Sequence, residues 1–133
     1  MAHVTETQIR VRNPDMDSQG WVNNARYVEY FGEGRLDHID YLKRETPGEV
    51  PGTFTLAEML IQYKTPARHR DVLDVRVWTQ EISNRSFKLG LEIKKTNTDV
   101  VVAQGHSVQV WINDQRAVQI PDLFRSVLEK SMQ

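Results

Sequence analysis

The sequence predicts an α+β fold in which one long central helix is wrapped by a five-stranded antiparallel sheet, with a short helix at the C-terminus. Three observations carry this. A strand-like segment precedes a single long helical pattern; four further strand-like segments follow it; and short turns such as Ser83-Asn84-Arg85 and Thr96-Asn97-Thr98 separate the later strands. Turns that short make consecutive strands antiparallel. One helix cannot cover both faces of such a sheet. An exposed face or edge is therefore expected to meet a second copy, giving a homodimer or homotetramer.

Residues 3–12 alternate as a strand, with Val4, Ile9 and Val11 among Thr5, Thr7 and Arg10. Asn13-Pro14 stops it, because proline cannot donate to a ladder and holds its predecessor extended. A loop spans 13–22. The helix is expected from Asn23 or Asn24, a favourable N-cap, to about Lys43. Val28, Phe31, Ile39 and Leu42 form its apolar stripe with Tyr27 beside them, and Arg35 lies in that stripe, where a carboxylate partner is expected. Gly32 and Gly34 each cost the helix about 1 kcal/mol against alanine, which points to close backbone approach over its middle.

Thr46-Pro47-Gly48 to Pro51-Gly52 is turn chemistry. Residues 53–64 are apolar on both faces, with Phe54, Leu56 and Leu60 on one and Ala57, Met59, Ile61 and Tyr63 on the other. Such a strand is central or lies at an interface. Residues 71–82 set Leu73, Val75 and Val77 against Asp74 and Arg76, and 86–95 alternate Phe87, Leu89, Leu91 and Ile93 with polar residues. Residues 99–112 place Val100, Val102, Val108, Val110 and Ile112 on one face. A short helix over 121–131 presents Leu123, Phe124, Val127 and Leu128.

At 133 residues, residues 1–133 form a single domain with one core. A composition 39% hydrophobic and 26% charged suits a water-soluble protein, and a net charge of −1 gives no sign of nucleic-acid or membrane affinity. The start lacks a signal-peptide pattern, no apolar run reaches a membrane span, and cytoplasm is the default expectation. Absence of cysteine excludes disulfides and thiolate chemistry. The histidines at 3, 38, 69 and 106 have no metal-ligand spacing. Gly105-His106-Ser107-Val108-Gln109 lacks the last glycine of a nucleophile elbow, and no dinucleotide fingerprint or P-loop is present.

The chemistry concentrates between Asn13 and Arg35. Asp15 and Asp17 stand in a turn-rich segment just before a helix start. That helix end carries unpaired N–H groups and the positive end of the dipole. An acyl oxygen bound there would present its carbonyl carbon to a carboxylate. Either aspartate could instead stabilise the turn, and Asn23 and Asn24 could serve as caps alone.

The pattern formed by Asp15, Asp17, Gly20, Val22, Asn23, Asn24 and Tyr27 resembles the hotdog-fold acyl thioesterases, most closely the 4-hydroxybenzoyl-CoA thioesterase-like branch, with the plant acyl-carrier-protein thioesterases more distant. Arg35, the segment Tyr63 to Leu73 and the late Ile120-Pro121 extend the likeness over almost the whole chain. It implies a hotdog fold that hydrolyses an acyl-coenzyme A thioester. Asp17 would be the catalytic carboxylate, as general base or nucleophile. Asn24 would join it as the second catalytic residue, orienting or capping, and N–H groups from Asn23 to Ala25 would polarise the carbonyl. Gly20, Trp21, Val22, Asn23, Ala25 and Tyr27 would form the substrate surface. Many members carry histidine where this chain has Trp21, which favours a carboxylate acting alone. An alkyl thiol leaves with a pKa of roughly 8.5 and needs little acid assistance. No cofactor is implied beyond the coenzyme A of the substrate, and no metal.

Glu58 is either a second acidic group in the pocket or a residue paired at an interface. Arg68, His69, Arg70, Arg85 and Lys88 are candidates to hold coenzyme A phosphates, since arginine and lysine pair with such groups. His106 is expected to be half buried in its strand. A hydratase or dehydratase on the same fold is one alternative, although it would usually need a histidine near the carboxylate. A non-catalytic acyl-binding module is the other.

Overall fold

The computed structural model describes all 133 residues. Strand β1 (Val4–Arg10) leads through a 3-10 turn at Asn13–Asp15 to helix α1 (Asn24–Glu45). Strands β2 (Thr53–Tyr63), β3 (Val72–Ile82), β4 (Ser86–Lys95) and β5 (Val101–Asn113) follow, then the two-residue β6 (Arg116–Ala117) and helix α2 (Asp122–Ser131). They make one antiparallel sheet in the order β1-β3-β4-β5-β2, with β6 added against β5. The 3-10 turn and β6 had no sequence signal long enough to register. The rest of the element order is as expected.

Helix α1 starts where Asn23 caps it, its side chain accepting from the Ala25 amide at 2.9 Å. It lies across β1 and β3 on one face of the sheet, burying Tyr27, Tyr30, Phe31, Gly34, His38, Ile39 and Leu42. Val28, expected in this stripe, is instead 47% exposed. The buried stripe is rotated toward β1, because Gly34 is the point of closest approach: a Cβ there would lie 2.5 Å from Val75 Cγ1. The sheet contributes Leu73, Val75, Val77, Phe87, Leu89, Leu91 and Ile93, all at most 1% exposed. Helix α2 closes the open end of this core with Phe124, Val127 and Leu128.

Of the two places expected for β2, central or at an interface, the first is excluded, because β2 is the border of the sheet; Leu56 and Leu60 are over 40% exposed and Tyr63 is 50% exposed. The faces assigned to β2 and β5 also differ from expectation, because each strand carries a bulge. In β2 the pairing slips from Leu56↔Gln109 to Glu58↔Val108, a bulge at Ala57. Beyond the bulge, alternation is reversed. Phe54 and Leu56 therefore share the helix-side face with Met59, Ile61 and Tyr63, whereas Glu58 and Leu60 turn away. Strand β5 has the same defect, where Ile93↔Ala103 gives way to Lys94↔Val101. Val102, the extra residue, is buried, and beyond it the buried face is that of Ala103, Ser107, Gln109 and Trp111. Val108, Val110 and Ile112, expected with Val102, lie half exposed on the other face. Ser107 and Gln109 tolerate burial because they bond each other at 2.6 Å and Gln109 donates to the Phe87 carbonyl at 3.0 Å.

A buried polar relay ties the elements together. Thr5 Oγ1 lies 2.8 Å from His38 Nδ1, His38 Nε2 lies 3.1 Å from Thr79 Oγ1, and Ser131 Oγ is 2.7 Å from Thr79 Oγ1. It thus links β1, α1, β3 and α2. Burial, with the nearby His3 adding to it, pushes His38 down to about 4 from 6.5. The unfolded chain therefore takes up this proton first as pH falls through 6.5, and the fold loses stability until about pH 4. At 1.36 kcal/mol per unit the loss approaches about 3 kcal/mol. Urea denaturation between pH 7 and 4 should show that decline, and His38→Gln should flatten it in this window. Gly34→Ala should lower stability by about 1 kcal/mol net, overpacking against Val75 exceeding the gain in helix propensity; thermal melting checks this.

Candidate functional site

The loop between β1 and α1 is folded around two aspartates with opposite fates. Asp15 is 2% exposed. It accepts from the Arg12 amide at 3.1 Å, the Tyr30 hydroxyl at 2.8 Å and the Arg12 guanidinium at 3.3 Å, with Arg26 Nε 3.8 Å away. Burial pushes its carboxyl up, but the Arg12 amide, the Tyr30 hydroxyl and the Arg12 charge outweigh this and hold it below the ordinary value. Burial and the Asp15 charge together push the Tyr30 hydroxyl up, so it stays a donor. The Asp15 carbonyl also accepts from the Asn23 amide at 2.8 Å. Asp15 is a structural anchor that fixes the start of the helix.

Asp17 is exposed. Its Oδ1 accepts from the amides of Gln19 at 2.8 Å and Trp21 at 3.0 Å, and its own amide donates to the Trp21 carbonyl at 2.7 Å. Gly20, at φ +86°, supplies the left-handed residue that this tight loop requires. The carboxylate is thus held in place through one oxygen while Oδ2 makes no hydrogen bond within the chain.

Asp17 opens on a cleft of about 200 Å3. The loop and helix contribute Asp17, Trp21, Val22, Asn24 and Tyr27, and the segment Tyr63–Pro66 leaving β2 forms the opposite wall. Five of the residues proposed from sequence are brought together here. Tyr27 is fixed by accepting the Ala67 amide at 3.2 Å, and burial holds its hydroxyl above the ordinary range. Tyr63 packs edge-on to it at 5.4 Å and donates to the Asn24 carbonyl at 3.4 Å. Tyr63, Lys64, Thr65 and Pro66 were not proposed as site residues, although they open the segment Tyr63 to Leu73 that extends the family likeness.

The amides at the helix start are more committed than the sequence suggests. Asn23 donates to Asp15, Ala25 to the Asn23 side chain, and Arg26 to the Asn23 carbonyl at 2.9 Å. Between Asn23 and Arg26 only the Asn24 amide is left without a partner. Asn23 is a cap, and its side chain occupies the Ala25 amide.

The other proposed residues divide. Arg68 sits at the cleft, its guanidinium 4.3 Å above the Trp21 ring. Arg70 is two residues on in the same loop, at φ 73°, with its amide on the Val11 carbonyl at 3.2 Å. Arg85 is in the β3–β4 turn, where its carbonyl accepts the Trp111 amide at 2.7 Å, so the length of the sheet separates it from Asp17 of the same chain. Glu58 points off the sheet face opposite the helix and pairs with His106 at 3.1 Å, so within one chain it is not in the cleft. Arg35 has no carboxylate partner. Its Nε is buried without a hydrogen bond, and burial alone pushes its pKa down.

A long helix over one face of an antiparallel sheet of this strand order is the hotdog architecture. The thioesterase-like superfamily model matches residues 11–128, and the chain belongs to that family. It is 30% identical to the long-chain acyl-CoA thioesterase FadM of Escherichia coli K12 over 130 residues, covering 94% of this chain and 97% of the relative. It is 24% identical to the chloroplastic acyl-acyl carrier protein thioesterase ATL3 of Arabidopsis thaliana, covering 95% of this chain and 68% of that one. Among solved structures, PA2801 of Pseudomonas aeruginosa superposes with a TM-score of 0.81 at 25% identity, over 95% of this chain and 99% of that one. The 1,4-dihydroxy-2-naphthoyl-CoA thioesterase of Synechocystis shares the fold at a TM-score of 0.80 and 16% identity, over 95% and 96%.

Asp15→Asn should remove charge-assisted bonds from a buried anchor and cost about 1–3 kcal/mol at pH 7. Because the folded carboxyl titrates below 3.8, that difference should shrink as pH falls through this value and the wild-type group protonates. Urea titrations of both proteins from pH 7 to 3 measure it.

Proposed function

We propose that this protein hydrolyses an acyl-coenzyme A thioester to the free acid and coenzyme A. The observation that carries the reading is the Asp17 carboxylate, locked through one oxygen with the other free, in the same cleft as the unpaired Asn24 amide. In this reading Oδ2 of Asp17 takes a proton from water as the hydroxide forms a bond to the thioester carbon. The Asn24 amide, at the positive end of α1, stabilises the oxyanion. The carbonyl re-forms, the C–S bond breaks, and the thiolate leaves with its electron pair and takes up a proton. Attack by Asp17 itself, through a mixed anhydride and with loss of the thiolate, needs the same residues; water opening that anhydride at the aspartyl carbonyl places labelled oxygen in the aspartate. Trp21 stands where a second acid–base group would otherwise sit, which supports a route run by one carboxylate. No metal or redox cofactor enters it.

Arg68 over Trp21 and Lys64 on the cleft wall, with Arg70 two residues further along the same loop, supply the positive charge for the coenzyme A phosphates. The relatives whose names carry acyl-CoA and acyl-carrier-protein substrates support an acyl thioester in general, and these cations favour the coenzyme. The exposed border β2 supports a homodimer in which two such strands pair antiparallel. That pairing would set the Thr53 end of one protomer beside the Tyr63 end of its partner. It would also carry the partner's β3–β4 turn toward the cleft.

Thiol release from short, long and aromatic acyl-coenzyme A esters tests the reading directly. Wild type should release thiol, and Asp17→Asn should lower kcat/KM by about 10²–10⁴ without loss of thermal stability. Equal rates for the two proteins would sink it.

A further inference from the structure

Two glycines stand two residues apart in the middle of α1, and packing within the chain explains only one. A Cβ on Gly34 would collide with Val75, whereas a Cβ built on Gly32 meets no atom within 4 Å. A glycine inside a helix is unfavourable relative to alanine, and nothing in this chain recovers that cost at Gly32. Open space lies over Gly32.

Helical spacing shows where that space leads. Asn24, Val28 and Gly32 succeed one another at intervals of four along one edge of α1. The other edge is fixed on β1, through Asp37 to Thr7 and His38 to Thr5. Since β1 and β2 are opposite borders of the sheet, the Asn24 edge faces β2, and Tyr63 touches it at its start. This edge begins in the Asp17 cleft, which Asn24 lines. It continues over Val28, which is 47% exposed. Its first charged side chain is Arg35, the next turn on.

We infer that the acyl chain, its carbonyl held at the start of α1, runs along Val28 and over Gly32, and that the missing side chain at position 32 sets the acyl length accepted. The inference rests on the thioesterase reading. Asn24 to Gly32 spans about 12 Å of helix, and an extended chain advances about 1.2 Å per bond, so about the tenth carbon reaches Gly32. Shorter acyl groups end before it.

The variant to make is Gly32→Leu, which adds a good helix former into open space and should fold. Two series are measured: kcat/KM for hexanoyl- and dodecanoyl-coenzyme A, and Kd for the S-hexyl and S-dodecyl thioethers, which cannot be hydrolysed. The six-carbon compounds should change by less than about twofold, and the twelve-carbon ones should weaken about tenfold or more as several methylenes lose their burial. Equal loss at both lengths, or none at either, would overturn the assignment. So would a length-independent loss accompanied by a change in oligomeric mass, which would give the space over Gly32 to a second copy. Length-selective thioether binding in a protein that hydrolyses no ester would keep the inference and remove the hydrolase reading. Length-independent hydrolysis would do the reverse.

Discussion

The carboxylate of Asp15 is the group on which the site depends. A buried anion is tolerated only when its charge is met. Here it is met from three directions at once: the Arg12 amide and guanidinium from the end of β1, and the Tyr30 hydroxyl from the second turn of α1. These contacts join the strand to the helix across the loop. With the Asp15 carbonyl holding the Asn23 amide, they fix where the helix begins. Everything chemical then follows by short range. The cap, the free Asn24 amide and the loop that immobilises Asp17 all lie within nine residues of that anchor. One aspartate is sequestered so that the other can be presented.

The helix and sheet meet in an asymmetric way that complements this. Gly34 lets α1 sink onto Val75 at the β1–β3 side, and the inner face of β2 is left partly uncovered. A tighter, centred packing would have buried more apolar surface in one chain. It would also have filled the space beside the cleft. The asymmetry exposes Val28, Leu56 and Tyr63, each unfavourable in an isolated chain and useful next to an apolar substrate or a second copy.

Much of this was legible in the sequence, and the limits have physical causes. The element order and the helix cap at Asn23 follow from local rules: periodicity, capping and turn chemistry. Those rules left either aspartate able to stabilise the turn, and only the family resemblance singled out Asp17. The faces of β2 and β5 do not follow from those rules. A bulge adds one residue to one strand, leaves no residue-type signature at Ala57 or Val102, and inverts every assignment beyond it. Val28 was misplaced because periodicity gives the spacing of a stripe but not the few tens of degrees by which Gly34 rotates it. Glu58 and Arg85 could be matched to a charge requirement but not to a location, since location is set by which strands become neighbours. The commitment of the Ala25 amide to its own cap is a three-dimensional fact that no pattern of residue types carries.

The position of β2 has a consequence for how the chain is made. It is synthesised second among the strands, yet its only partner in the chain is β5, and its residues pair across 40 to 59 positions, from Tyr63↔Ala103 to Thr53↔Ile112. At synthesis rates of about 5–20 residues per second, this apolar strand leaves the ribosome several seconds before β5 exists. Local hairpins from β3 to β5 can form as they emerge, but β2 must wait for the last of them. During that interval neighbouring nascent chains on one message present the same unpaired edge to each other. An apolar edge left unpaired is an aggregation hazard, and β2 carries that hazard until β5 emerges.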